Sequence, residues 1–179
     1  MKNKNIILGV TGSIAAYKAC DLVRALQQNG FVVDVIMTKE AGKFITPLSL
    51  QSLSNRKIYL DMFELIEEFD VEHIALAERA ALILIAPATA NVIGKLASGI
   101  YDDLLTCVTS ATKAKIAIAP AMNDNMYQNK IVQENISKLK RFGVKFIGPR
   151  VGKLACGKTG CGCLEDIDKI VKAVKNLIL

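Results

Sequence analysis

Five short apolar runs punctuate the chain, at residues 5–10, 31–37, 81–86, 115–119 and 144–147. Within each run apolar residues follow one another rather than alternate with polar ones, the pattern of a strand buried on both faces. Between the runs the apolar spacing becomes helical. Ala19, Leu22, Val23 and Leu26 share one face of a helix predicted to begin near Ser13 and stop at Gly30. Val132, Ile136 and Leu139 mark a helix ending at Gly143, and Ile167, Ile170, Val171 and Val174 mark the last one. Thr46-Pro47 opens a helix reaching Leu53, and 57–60 reads as a short strand. Strand and helix in alternation predict an α/β chain: a parallel sheet with right-handed crossovers and helices on both faces, three layers in all. Ligands of such sheets bind beyond the carboxyl ends of the strands.

The 179 residues fit one domain, 1–179, and 51% hydrophobic content excludes a disordered chain. No apolar run is long enough to span a bilayer, and the N-terminus lacks the apolar core of a signal peptide, so a cytoplasmic, membrane-free protein is expected. The formal charge of +6 is spread along helices and both ends. With no basic stripe and no Trp, nucleic acid is not an expected partner, whereas a mild positive field suits phosphorylated ligands. Of the five cysteines, Cys20 and Cys107 fall in apolar helical patterns and read as small core residues. Cys156, Cys161 and Cys163 crowd a stretch, 148–162, that holds five glycines and Pro149. Their spacing lacks a second paired knuckle and the single histidine lies far upstream, so no metal site is expected. The stretch is expected to be a mobile loop over a site, a flap covering 148–164.

Candidate chemistry collects where loops leave the strands. Gly9-Val10-Thr11-Gly12-Ser13-Ile14 follows the first strand; its glycines allow close backbone approach, and a helix start there offers N–H groups to an anion. Read blandly, it is a tight turn with Ser13 as an N-cap. Pro87-Ala88-Thr89-Ala90-Asn91 repeats the arrangement after the 81–86 run, with Thr89 or Asn91 as the cap, and Thr38 lies at the same edge. Pro120-Ala121-Met122-Asn123-Asp124-Asn125-Met126-Tyr127 follows the 115–119 run. Two methionines suit a flat ring and an asparagine supplies donors and an acceptor at one point. His73 opens a helical run; a lone histidine is more often structural than catalytic. Cys156, exposed among glycines and flanked by Lys153 and Lys158, has the surroundings of a reactive thiol.

These segments, taken in order, resemble the flavin-containing cysteine decarboxylases. The 120–127 loop is similar to that family's Pro-x-Met-Asn-x-x-Met-Trp signature, with Tyr127 where Trp is usual. The 9–18, 73–77 and 86–91 segments resemble its two flavin loops and its active-site histidine segment. Gly152-Lys153-Leu154-Ala155-Cys156-Gly157 resembles the cysteine flap of the phosphopantothenoylcysteine branch. The resemblance implies a flavodoxin-like or Rossmann-like fold with FMN held by Gly12, Ser13, Ile14, Thr38, Ala88, Thr89, Ala90, Asn91 and Ala121. It implies oxidation of a substrate thiol to a thioaldehyde, loss of CO2, and re-reduction of the enethiol, turning 4′-phosphopantothenoylcysteine into the 4′-phosphopantetheine of coenzyme A biosynthesis. Asn123 then holds the substrate carboxylate, His73 assists decarboxylation, Cys156 donates the final proton, and Met122 and Met126 shape the pocket. It also implies a trimer-based homo-oligomer with sites between subunits, and a separate synthetase for the substrate. Peptidyl-cysteine decarboxylases of lantibiotic maturation share the motifs but lack the flap cysteine; non-catalytic phosphatase regulators carry acidic tails; flavin prenyltransferases do not need the Met-Asn loop. Family flaps often continue Gly-x-Gly-Arg-Met, and here Cys163 stands at the arginine position, leaving Cys161 and Cys163 as possible substitutes or disulfide partners for Cys156.

Overall fold

The computed structural model describes residues 4–62 and 72–178. From the N-terminus, β1 (Asn5–Val10) leads through a 3-10 turn, Ile14–Lys18, into α1 (Ala19–Gln28) and β2 (Val32–Met37). Then come α2 (Pro47–Ser54), β3 (Ile58–Tyr59), α3 (Glu72–Arg79), β4 (Leu82–Ala88) and α4 (Ala90–Ser98). The chain continues with α5 (Leu104–Ala111), β5 (Lys115–Pro120), α6 (Asp124–Gln128), α7 (Lys130–Arg141), β6 (Lys145–Phe146), β7 (Arg150–Lys153), β8 (Thr159–Cys163) and α8 (Ile167–Ile178).

Among the described residues, six strands form one parallel sheet in the order β3-β2-β1-β4-β5-β6. The apolar runs become its central strands because both faces are covered: every residue of β4 is buried. Ile6, Leu8 and Val10 of β1 pack with Leu22 and Leu26 of α1 and Ile170 and Val174 of α8. Ile7 and the β4 residues Ile83 and Ile85 pack on the opposite face, with Val92, Leu105 and Ile136. The three-layer α/β expectation therefore holds. No helix among the described residues is long and apolar enough to cross a membrane.

Two details depart from the sequence pattern. The helix expected from Ser13 is regular only from Ala19; the preceding turn is 3-10, capped by Ser13 Oγ, which accepts from Ala15 N at 3.3 Å. Asp34 sits inside an otherwise apolar strand with its side chain only 1% exposed, and is ion-paired with Arg56 after α2 and with Arg79 at the end of α3. A buried carboxylate needs such partners, and the pairing ties α3 to the sheet.

The order of strands reverses at β1. The chain builds outward through β2 and β3, then crosses back to place β4 on the other side of β1. Loops leaving the carboxyl ends of β1 and β4 diverge there and leave a crevice.

Candidate functional site

Three loops and a ribbon meet at that crevice. The first two are tied together by buried Thr11: its hydroxyl donates to Pro87 O at 2.8 Å and accepts from Thr89 N at 3.1 Å. Thr89 in turn caps α4, its Oγ1 accepting from Val92 N at 3.4 Å. The capped start of α4 thus lies beside the loop of β1 at the switch point.

The glycines of the first loop serve packing more than ligand approach. Gly9 lies within β1, where a Cβ would sit 2.5 Å from Leu105 Cδ1 of α5. Gly12 lines the crevice, but a Cβ there would stand 2.5 Å from Glu40 Cβ, so the glycine also makes room for Glu40.

The third loop leaves β5 beside β4, with Ala121 N donating to Ala88 O at 2.9 Å. Asn123 caps α6: its Oδ1 accepts from Asn125 N at 2.9 Å. That bond commits the carbonyl end of the side chain and leaves the NH2 end as the group Asn123 can offer a ligand. The ligand group it suits is therefore an acceptor.

The glycine-rich stretch expected as a loop over a site has regular structure within it. β7 and β8 pair as an antiparallel ribbon, closed by the turn Leu154–Gly157, in which Gly157 N donates to Leu154 O at 2.9 Å and Gly157 adopts a φ of +85°. Its glycines let the ribbon dock by its backbone. Met122 N donates to Gly162 O at 3.0 Å, and a Cβ on Gly162 would stand 2.1 Å from Met122 O; one on Gly160 would stand 2.8 Å from the Asp124 carboxylate. Cys156 occupies the exposed turn at the ribbon's tip.

Together these elements enclose a cleft of about 650 Å³, within the range of roughly 300–1,000 Å³ typical of small-molecule sites. Gly12, Ser13, Ile14 and Thr89 line its sheet side; Ala121, Met122, Asn123 and Met126 line the third-loop side; Cys156 and Leu154 come from the ribbon. A second hollow, of about 450 Å³, lies at the opposite end of the sheet beside Ile116 and Phe142, away from the loops just described.

Several candidate residues do not line the cleft. Thr38 N donates to Val10 O at 3.0 Å and its hydroxyl accepts from Ala41 N, so it shapes the turn after β2. Ala88 is buried in β4, Ala90 is partly buried, and Asn91 is exposed on the first turn of α4. His73, partly buried in the first turn of α3, is not part of the cleft wall of its own chain.

The three ribbon cysteines separate. All are free thiols, and among the described residues no group of three His, Cys, Asp or Glu side chains could hold a metal ion. Cys163 lines the cleft, its thiol donating to Lys153 O at 3.4 Å. Cys161 instead adjoins Tyr127, whose phenol is pushed up by burial and further by that thiol, and so stays neutral. Cys20 and Cys107 are pushed up mainly by burial, consistent with inert packing. Two lining residues, Lys18 and Lys153, were not singled out as ligand contacts by the sequence. Both lie in motif segments, 9–18 and 152–157, but only the fold brings them to one cleft.

A model of the Flavoprotein family matches residues 1–179. The chain is 49% identical to the coenzyme A biosynthesis bifunctional protein CoaBC of Borreliella burgdorferi over 98% of its own length, but spans only 45% of that relative. It is 45% identical to a probable phosphopantothenoylcysteine decarboxylase of Streptococcus mutans, covering 97% of this chain and 98% of the other. A solved PPC decarboxylase mutant complexed with pantothenoylaminoethenethiol superposes with a TM-score of 0.86 at 29% identity, covering 98% of both chains.

Proposed function

Because the chain belongs to the flavoprotein family, we propose that it is an FMN-dependent decarboxylase that converts 4′-phosphopantothenoylcysteine to 4′-phosphopantetheine in coenzyme A biosynthesis. The observation that carries this reading is the cleft that Asn123 shares with Cys156. A free amide NH2 suited to a carboxylate and a thiol on a ribbon tip line one space, as removal of a carboxylate followed by protonation of the product requires.

The residues present fit a flavin mononucleotide. Thr89 and Ser13 line the cleft together where Thr89 caps α4, and the helix N-terminus behind that cap suits a single phosphate. Met122 and Met126 offer polarizable side chains to a flat ring. No G-x-G-x-x-G turn for a dinucleotide follows β1. Bound FMN would supply a two-electron acceptor for oxidation of the substrate's cysteine thiol to a thioaldehyde, into which the departing carboxylate's electrons can go, and would return the same two electrons when the enethiol is reduced.

The chain's own groups do the rest. Asn123 Nδ2 orients the carboxylate. Met122 and Met126 exclude water from the reacting carbon. Cys156 Sγ–H holds the proton required when the enethiol is reduced. The substrate itself must come from a ligase joining cysteine to a phosphorylated acid, the second activity expected on a bifunctional relative or a separate protein.

His73 is best accounted for by a homo-oligomer, a trimer or a multiple of trimers, in which α3 of one copy faces the cleft of the next. The cleft rim supports this: Ile14 and Tyr17 are 59% and 58% exposed, a large apolar surface for an isolated chain. If so, a His73→Asn chain and an Asn123→Asp chain, each inactive alone, should regain activity when co-expressed and assembled together. A mixed assembly as inactive as its parents would place both residues in one chain's site.

The function is tested by incubating the FMN-loaded protein with phosphopantothenoylcysteine and, separately, with a peptide ending in cysteine. Mass spectrometry should show loss of CO2 from the first. Loss from the peptide alone would assign the protein to peptide modification, and a colourless protein that takes up no FMN would refute the proposal.

A further inference from the structure

Two of the side chains lining the cleft are charged, and both are cations: Lys18 and Lys153. No carboxylate lines it, and neither lysine has a hydrogen-bond or ion-pair partner among the described residues. Other lysines of this chain that lie beside carboxylates are paired, as Lys95 is with Asp102 and Asp103, and Lys169 with Glu165. Unpaired cations in a mostly apolar cleft mark a place for an anion brought by a ligand.

The two lysines occupy different walls. Lys18 ends the 3-10 turn that Ser13 begins, on the side of the first two loops. Lys153 ends β7, and Cys156 follows three residues later in the turn of the same ribbon. The proposed function, on which this inference rests, places two phosphate monoesters in one cleft, that of the cofactor and that of the substrate. The loop N–H groups with Lys18 provide for the first, on their own wall. Lys153 is the cation that remains.

We propose that Lys153 binds the phosphate of the substrate and so makes the ribbon a phosphate-sensing arm. An ammonium group is a compact point charge suited to a phosphate dianion. Because Lys153 and Cys156 share one short ribbon, the contact at the distant end of the substrate fixes where the thiol stands at the reacting end. Binding energy from an unreacting group is thereby used to position a proton donor. The ribbon can respond in this way because it is docked to the body through backbone contacts at Gly160 and Gly162 rather than through a core of its own.

The test compares phosphopantothenoylcysteine with its non-phosphorylated analogue, on FMN-loaded wild type, Lys153→Gln and Lys153→Arg. A charge-assisted contact contributes enough that Lys153→Gln should lower the ratio of the two kcat/KM values by roughly tenfold to a hundredfold. Lys153→Arg, which keeps the charge, should restore most of the ratio. A ratio unchanged in Lys153→Gln overturns the proposal, whether or not both rates fall, since a purely structural lysine lowers both alike. A binding measurement independent of turnover guards against failure of the functional reading itself. Inorganic phosphate, titrated into the FMN-loaded protein and followed by 31P line broadening, should bind wild type and bind Lys153→Gln more weakly. Equal binding to both would also overturn the assignment, while a wild type that binds phosphate through Lys153 but decarboxylates neither substrate would refute the proposed reaction alone.

Discussion

Asn123→Asp is expected to stop CO2 release while leaving fold and flavin uptake intact. The two effects separate because the side chain has two jobs at its two ends. As N-cap of α6, Asn123 uses only Oδ1, which accepts from Asn125 N. Aspartate caps as well as asparagine, so α6 and the docked ribbon should persist. The other end changes from an NH2 donor to a second carboxylate oxygen. Two carboxylates about 4 Å apart near a protein surface repel by about 4 kcal/mol, roughly a thousandfold in rate if all of it falls on the reacting complex. Loss of the donated hydrogen bond adds to that. Flavin uptake, read from the visible spectrum, and CO2 release, read by mass spectrometry, should therefore diverge. Undiminished activity in this variant would remove Asn123 from carboxylate recognition.

Cys156→Ser should instead cut the reaction in its middle. Carboxylate orientation depends on Asn123, so CO2 should leave at a rate near wild type. A serine hydroxyl is a far weaker acid than a thiol, and the proton transfer that completes the product should slow by the 10²–10⁴-fold typical of a lost general acid. The enethiol, lighter than the saturated thiol by H2, should accumulate, with the flavin left reduced and its absorbance bleached. Cys163 bears on the outcome because it also lines the cleft, whereas Cys161, whose thiol lies 4.0 Å from Pro149 O, does not. The variant carrying both Cys156→Ser and Cys163→Ser is the control. A block seen only in the double variant would move the acid to Cys163; a double variant that makes saturated product at the wild-type rate would show that neither thiol supplies the proton.

The sheet was legible because strands buried on both faces leave a continuous apolar trace; β1, β2, β4 and β5 start and end within two residues of their runs. Asp34 interrupts that trace in β2, and its partners Arg56 and Arg79, distant in sequence, could not be read from it. The pairing of β7 with β8 was not legible, for a physical reason. Glycine reads as freedom along a chain, but Gly160 and Gly162 are positions where another segment comes too close for a side chain. Gly9 is the same lesson in β1, where the missing side chain makes room for Leu105. In the cleft, Ser13, Thr89 and Asn123 could be picked out because caps and loop ends follow local rules. That Lys18, Lys153 and Cys163 share one cleft depends on which strands are neighbours, which no local window contains.

The ribbon's glycine-faced docking also sets how tightly the cleft can hold anything. Val151, the large apolar residue of β7, is 66% exposed, and the ribbon buries little that would anchor it. A segment attached in this way is expected to open at a free-energy cost well below that of global unfolding, independently of strands such as β1 and β4, an expectation that hydrogen exchange at its amides would check. A ligand that needs the ribbon in place binds only the fraction of molecules whose ribbon is docked, and its apparent affinity is reduced by that fraction. Affinity can therefore be tuned at Gly160 or Gly162, residues that need touch no ligand, by shifting the population of docked ribbons.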